Sequence, residues 1–404
     1  MGRRPYFGEL GKTGIEWHSG YVTDEFLHSL QGSNGIKVYR EMSDNDPIVG
    51  SFLFAIKQII REIRWTVKPY GDDSNENKKD ADFLDNCMAS MTHTWTDFIS
   101  NVLSMLIYGW SWFEIVYERR DDDKIGWKKL APRNATSLEK WDIAPNGELF
   151  GMIQRPAPSY TEVHLPIYKS IHFRTESAGN NPEGRSVLRN AYRSWWFKKN
   201  LEEIEAIGME RDLVGLPILK LPVGLNLDSE VPEDVAKIAS AKKLISSIRR
   251  DEQEGVLLPD GWELSLLESP GSKQFNTTEV INRYSKQMAV TVLAQFIMLG
   301  MERTGSYALA ESQTDMFYLC LEGWANSISS VLNKQTVPKL FMMNGDMKKE
   351  LPSIVHAPIH HFKLKDMSEF ISKLVGADAI EIDNEVRGYL KKYARLSEFS
   401  EGRK

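Results

Sequence analysis

Apolar residues recur along this chain with two different periods, and the switch between them divides it into regions. Val49, Phe52, Leu53, Ile56, Ile59, Ile60 and Ile63 keep the three, four and seven spacing of one buried helical face. Asp44-Asn-Asp-Pro47 stands just ahead of them as a cap. Residues 24–41 read as a short helix, a turn at Gly32-Ser-Asn-Gly35 and a second short segment. Trp65 to Pro69 reads as a strand, and the polar run Gly71 to Asp80 as an exposed loop. A further helix is predicted from Thr96 to Tyr108, with Phe98, Val102, Met105 and Leu106 inward and Gly109 as its stop.

From residue 110 the period becomes two. Trp112, Glu114, Val116 and Glu118 alternate with Phe113, Ile115 and Tyr117, which is a strand pattern. Asp121 to Gly126 makes a turn into Trp127-Lys-Lys-Leu130. Leu138–Ile143, Leu149–Gln154, Val163–Ile167 and Ser170–Phe173 read as more strands, so residues 110–175 are mainly β.

A long helix is expected from Arg185 to Leu213. Its apolar residues mix with charges on several sides, as in a helix that packs on copies of itself or bridges domains. Gly208 lies within it, at a cost of about 1 kcal/mol relative to Ala. Residues 216–276 form a small α/β unit. Leu216 to Pro222 is a strand, and Pro232 opens a helix with Val235, Ile238, Ala241, Ile245 and Ile248 inward. Gly255-Val-Leu-Leu258 and Trp262 to Leu267 are strands around a Pro259-Asp-Gly261 turn. A returning helix, Thr277 to Leu299, and another, Ala308 to Asn333, flank a loop bounded by Gly300 and Gly305 that carries Met301, Glu302, Arg303 and Thr304. Glycines there free the backbone, and such a loop reads as a moving part. A short strand near Phe362-Lys-Leu364 and helices from Asp366 to Arg395 close the pattern. Sixty α/β residues between two long helices make a tip on a two-helix stalk.

Composition narrows the function. The chain has 404 residues, 42% hydrophobic and 26% charged, and fits two or three globular domains. Its net charge of -6 argues against a tight, stationary grip on nucleic acid, because phosphate neutralisation supplies that affinity. Cys87 and Cys320 are its only cysteines, so a reducing compartment is expected. The start of the chain lacks a secretory run, Tyr6 stands where a myristoylation signal needs Ser or Thr, and no membrane span is expected.

Candidate chemistry is sparse. The chain has no phosphate loop, no dinucleotide fingerprint and no nucleophile elbow. His356, His360 and His361 have two imidazoles at a zinc-compatible spacing, but Pro358 interrupts them and a structural role is the simpler reading. Asp121-Asp-Asp123 is compatible with a divalent ion, yet a hairpin turn explains it. Lys242, Lys243, Arg249 and Arg250 give the 232–250 helix a basic side, which is first of all a solvated face or a protein contact. No cofactor, no metal and no catalytic set is expected.

The order of these elements resembles the portal protein of tailed double-stranded DNA bacteriophages. Val38-Tyr-Arg-Glu-Met42 with the following helix and strand is similar to the N-terminal region of that family. Tyr108-Gly-Trp-Ser-Trp-Phe-Glu-Ile115 is similar to its next helix-to-strand junction, Gly255 to Trp262 to its tip motif, and Gly305-Ser-Tyr-Ala-Leu-Ala310 to the segment after its tunnel loop. The resemblance implies an α+β fold assembling as a ring, usually of twelve, at one capsid vertex. It implies a wing over 1–184, a stem helix over 185–215, a clip over 216–276 and a returning stem helix over 277–299. A tunnel loop at 300–307, a wing helix at 308–345 and a crown at 346–404 follow.

The function so implied is a channel for packaging and ejecting DNA, without enzymatic turnover, in a virion assembled in the bacterial host cytoplasm. The implied partners are further copies of itself, duplex DNA, the terminase large subunit, the major capsid protein and a head–tail adaptor. The clip's Lys242, Lys243, Arg249 and Arg250 become candidate contacts to motor or adaptor. Gly300 to Gly305 become DNA-facing, with Arg303 touching phosphate, Glu302 limiting its grip and Met301 giving an adaptable apolar contact. Two other readings compete: another head–tail or baseplate structural protein, and a metal-dependent nucleic-acid-processing enzyme.

Overall fold

A computed structural model describes residues 10–71, 74–214, 216–222, 224, 225, 227, 228, 230–247, 257–267, 276–291, 307–346, 348 and 350–359. The first described elements are a short hairpin, β1 (Trp17–His18) and β2 (Tyr21–Val22), then a 3-10 turn at His28–Leu30. Helix α1 (Gly32–Asn45) follows, so Gly32-Ser-Asn-Gly35 is not a turn between segments but the first turn of a helix. Packing explains the difference. A Cβ on Gly35 would stand 2.2 Å from the Leu30 carbonyl oxygen, so glycine lets the 3-10 turn close over the helix start.

Helix α2 (Pro47–Arg61) is built as expected. The Asp46 carboxylate accepts from the amides of Ile48 at 2.9 Å and Val49 at 3.1 Å, and Pro47 begins the helix. Val49, Phe52, Ile56 and Ile60 are buried along one face. Strand β3 (Trp65–Lys68) comes next. The expected loop at Gly71 to Asp80 is overturned from residue 75 onward, where α3 (Asn75–Ala89) begins. Ser74 caps it by accepting from the Asn77 amide, and its polar first turn leads into buried Phe83, Leu84 and Cys87. The helix expected at 96–108 is two, α4 (Trp95–Val102) and α5 (Ser104–Tyr108), ended by Gly109 at φ 90°.

The β region follows the pattern closely. β4 (Trp110–Arg119), β5 (Ile125–Arg133) and β9 (Ser170–Arg174) form an antiparallel sheet in the order β5-β4-β9. β6 (Leu138–Ile143), β7 (Leu149–Gln154) and β8 (Val163–Pro166) form another. Alternation along β4 serves two cores. Phe113 and Ile115 enter the larger, shared with α1 to α5. Trp110 and Trp112 enter the smaller, with Trp141, Met152 and Leu165 from the second sheet. Trp110 and Trp141 meet edge to face with centroids 4.9 Å apart.

The helix expected at 308–333 spans Tyr307–Val331 and buries Phe317, Leu321, Ala325 and Ile328 in the larger core. It widens into a π turn at Leu332–Thr336, then continues as Val337–Met343. Pro338 cannot donate to the carbonyl four residues back, and the wider turn accommodates its ring. Lys339 Nζ donates to the carbonyls of Ile167 at 2.8 Å and Ser170 at 2.7 Å, fastening this segment to β9. Strand β12 (Ser353–His356), absent from the sequence pattern, pairs antiparallel with β3. Asn333 holds it, donating to the Ile354 carbonyl and accepting from its amide.

The stalk comprises α6 (Tyr192–Val214) and α8 (Thr277–Thr291), packed on each other. Helix α6 begins later than expected because Leu188 and Ala191 are fully buried in turns against the body. At the tip, β10 (Leu216–Lys220) pairs antiparallel with β11 (Glu263–Leu267), and α7 (Pro232–Ser247) packs on β10. Ile238 and Ala241 of α7 are buried as expected, but Val235 and Ile245 are exposed. Among the described residues the tip sheet has two strands, which cover only part of the apolar side of this sixteen-residue helix. Leu257 is exposed and lies in no strand, correcting the described part of the strand expected at 255–258. The residues 292–299, the short strand near 362–364 and the helices from 366 lie outside the described residues.

Candidate channel-forming stalk and tip

The base of the stalk is set by ionic contacts with the N-terminal helical region. Arg189 grips Glu25 with two hydrogen bonds of 2.6 and 2.7 Å. Lys199 donates to Glu41. Lys198 donates to Asp46 at 2.8 Å, with both side chains only 4% exposed. The Asp46 carboxylate thus caps α2 with one oxygen and anchors α6 with the other. Burial pushes the Glu25 carboxyl up, but the hydrogen bonds from Arg189 and the Leu27 amide outweigh it and hold the group below its ordinary range. The same pair raises Arg189.

Above the base, α6 and α8 meet through a short polar and aromatic seam. Ser194 donates to Gln287 at 3.0 Å, the rings of Phe197 and Tyr284 stack at 5.8 Å, and Thr277 donates to Glu205. The opposite side of α6 is uncovered in one chain. Trp196 is 46%, Ile204 64% and Ile207 49% exposed. An open groove of about 1080 Å³ runs along α8 between Asn276 and Thr291.

Beneath the stalk, Gly109 and Gly184 cross so closely that a Cβ on either would stand 2.3 Å from a backbone oxygen, that of Glu183 or Gly109. Beside this crossing the Glu183 carboxyl accepts from Trp141 Nε1 at 3.2 Å, and burial raises it to about 7. His172, whose Nε2–H donates to the Pro182 carbonyl at 2.8 Å, is lowered to about 3, first by burial and then by Arg174.

Lys242 and Lys243 lie exposed on α7; Arg249 and Arg250 lie outside the described residues, as do Gly300, Met301, Glu302, Arg303, Thr304 and Gly305. The Asp121 to Asp123 run is a hairpin turn in which Asp123 faces Arg119 and Asp122 faces Arg120. His356 belongs to β12 and bonds the side chain of Asn326 and the Ala357 carbonyl; His360 and His361 lie outside the described residues. Among the described residues no group of His, Cys, Asp or Glu is arranged to hold a metal, and no helix is long and apolar enough to cross a membrane. Sequence reasoning missed the Asp46–Lys198 pair. The cap signal at Asp46 was legible, but nothing in the sequence joins it to a lysine 152 positions away.

A mixed helix-and-strand body bearing a two-helix stalk with a small tip is the layout of a portal subunit, and the comparisons agree. The family model described as the portal protein of Mu bacteriophage matches residues 36–390, most of the chain. The protein belongs to that family and is a phage portal protein, a channel component of a virion. The fold is similar to a chain in the virion of the native gene transfer agent particle, at TM-score 0.54 and 12% identity over 88% of this chain and 92% of the other. A chain in the neck of that native particle, computed with C12 symmetry, matches at TM-score 0.54 and 12% identity over 88% and 93%. A crystal structure of an HK97 family phage portal protein from Corynebacterium diphtheriae matches at TM-score 0.47, with 14% identity over 79% and 95%.

Proposed function

We propose that twelve copies close into a ring at one capsid vertex and that duplex DNA passes through its centre during packaging and ejection. The observation carrying this reading is the stalk: in a chain of the portal family, α6 leaves Trp196, Ile204 and Ile207 uncovered on the side away from α8. A ring supplies neighbours for such a surface. In this reading residues 1–184 and 308–345 are the wing, 185–215 and 277–299 the stem, 216–276 the clip, 300–307 the tunnel loop and 346–404 the crown. The clip faces the terminase large subunit during packaging and a head–tail adaptor afterwards, with Lys242, Lys243, Arg249 and Arg250 as contacts. The wing meets the major capsid protein, and assembly takes place in the host cytoplasm.

The protein's own work is passive. A channel that lets DNA slide must not create deep phosphate-binding sites along the path, which a net charge of -6 helps to avoid. ATP hydrolysis belongs to the separate motor, and no turnover is expected of this chain. Within the tunnel loop Arg303 touches phosphate, Glu302 limits its hold and Met301 yields to the passing duplex. Light scattering after gel filtration, with negative-stain images of the same peak, tests the ring. Particles with a central hole and about twelve times the chain mass support it, and a metal-dependent nuclease activity in a small species contradicts it. An Arg303→Ala ring that packages DNA normally removes the role given to Arg303.

A further inference from the structure

A cleft of about 320 Å³ lies in the body where β4 extends beyond its last pair with β5, beside α5. That last pair is Trp112 and Arg133, so their side chains leave the same face of the sheet. Both residues line the cleft, and each holds a buried N–H that meets no acceptor, Nε1 of Trp112 and Nε of Arg133. Groups beside them are served. Trp141, its ring 5.8 Å from that of Trp112, donates from Nε1 to Glu183. Arg133 gives its two terminal nitrogens to Glu114 and the Pro132 carbonyl. Folded chains seldom leave buried donors unpaired, because the cost of desolvating them is then not recovered. The rest of the lining narrows what could supply the acceptor. Arg133 is the only charged residue among the described residues that line the cleft, and Ile107, Tyr108 and Trp110 give it apolar walls. Arg133 and Lys169 share one carboxylate, that of Glu114, so these three groups carry one surplus positive charge. The cleft is also about ten times the roughly 30 Å³ that a water occupies in the liquid, so a single bridging water leaves most of it unfilled.

We propose that this cleft binds a small organic carboxylate. Its oxygens accept from Trp112 Nε1 and Arg133 Nε, and its apolar part lies against Ile107 and Trp110. One anion then supplies acceptors to both unpaired donors and balances the surplus charge, with hydrogen bonds strengthened by ionisation on both sides of the Arg133 contact. The site belongs to the body of one subunit and does not depend on the ring reading above.

The test uses the full chain, with fluorobenzoate as the probe and fluorine NMR as the readout. Saturable binding is expected, and the neutral fluorobenzamide should bind at least about tenfold more weakly. Trp112→Phe removes the N–H but keeps an aromatic ring, and Arg133→Gln removes the cation. Each is expected to weaken the acid by about tenfold. Trp127 is the control: it is fully buried and its Nε1 also lacks an acceptor, but it does not line the cleft. Trp127→Phe should therefore leave binding unchanged, which separates loss of the site from a general loosening of the core. A melting curve on each variant checks that it is folded, and if Arg133→Gln does not fold, the acid–amide comparison on the native chain still reads the charge. Acid and amide binding alike, binding untouched by Trp112→Phe, or binding lost equally to Trp127→Phe would mean an adventitious additive only and overturn the site. An absence of saturable binding overturns it too and assigns the two donors to ordered water. Ring formation is read separately by gel filtration, so the failure of one reading leaves the other standing.

Discussion

The body and the stalk treat tryptophan in opposite ways. Trp110, Trp112, Trp127 and Trp141 are at most 2% exposed in the body, whereas Trp196 on α6 is 46% exposed. The body closes around its aromatic groups with its two three-stranded sheets and the helices packed on them, so one chain suffices to dry them. The stalk has only two described helices, and two packed helices cannot cover a third face. Its exposed apolar stripe is therefore a demand on another copy, and the body's dense cores are what keep the base of the stalk fixed while that demand is met. The glycines repeat the contrast. Gly109 is hemmed in by backbone at a positive φ, while nothing lies within 4 Å of a Cβ placed on Gly208 in the stalk.

Four measurements of chemical or thermal unfolding sharpen this comparison. The largest effect is expected in the smaller core. Trp112→Ala removes a fully buried indole that meets Trp141 and His172, and its loss of about 3–5 kcal/mol is to be read from the denaturation midpoint. An equivalent Trp196→Ala in the isolated subunit is expected to cost far less, and a similar loss at both positions would break the comparison.

At the junction, Lys198→Met strands the Asp46 carboxylate in a buried site. It should destabilise by about 3 kcal/mol, with most of the loss recovered when Asp46→Asn is added. A double-mutant cycle checks this, and additive losses would show that the pair does not couple stalk to body.

The third effect is a pH dependence. Glu183, raised to about 7, keeps its proton in the folded chain and loses it on unfolding. Its contribution is full below the ordinary carboxylate range and is lost as pH rises through about 7. His172, lowered to about 3, acts with the opposite sign: its contribution is full above the ordinary imidazole value of about 6.5 and is lost as pH falls toward 3. Between roughly pH 4.5 and 6.5 the two proton balances cancel. Glu183→Gln keeps an acceptor for Trp141 but removes one side of that balance. Its stability should rise with pH across that window, and exceed the native protein's by roughly 1–3 kcal/mol above pH 7. Melting temperatures taken at half-unit pH steps would show it, and a variant curve parallel to the native one would remove Glu183 as the titrating group. The smallest effect is at Gly208, where Ala should stabilise the subunit by about 0.5–1 kcal/mol. Gly109→Ala, by contrast, should be strongly destabilising, since the backbone of Glu183 occupies the space.

Where an element's own residues specify it, the sequence was a sufficient guide. Strands β6 to β9 were legible nearly to the residue because alternation and turn residues are local signals, whereas β5 runs past its expected bounds at both ends, and the Asp46 cap and Pro47 start of α2 likewise lie within four residues of what they stabilise. The stalk and tip order was legible for the same reason. Helix α3 was hidden because its first turn is polar and its buried face begins only at Ala81. Strand β12 was hidden because four residues become a strand only when β3 stands beside them. The segment Gly32 to Gly35 carried the composition of a turn, and the Leu30 carbonyl packed above Gly35 made it a helix.

The sequence by itself determined the periodicities, caps, turns and overall charge, because these depend on neighbours along the chain. Only the tertiary structure decided which distant groups share a site. It set Lys198 on Asp46, Trp141 on Glu183 and Asn333 on Ile354, and it left one face of α6 bare. Burial, pairing and exposure are properties of the space around a residue, and that space is filled by segments 21 to 152 positions away in these pairs.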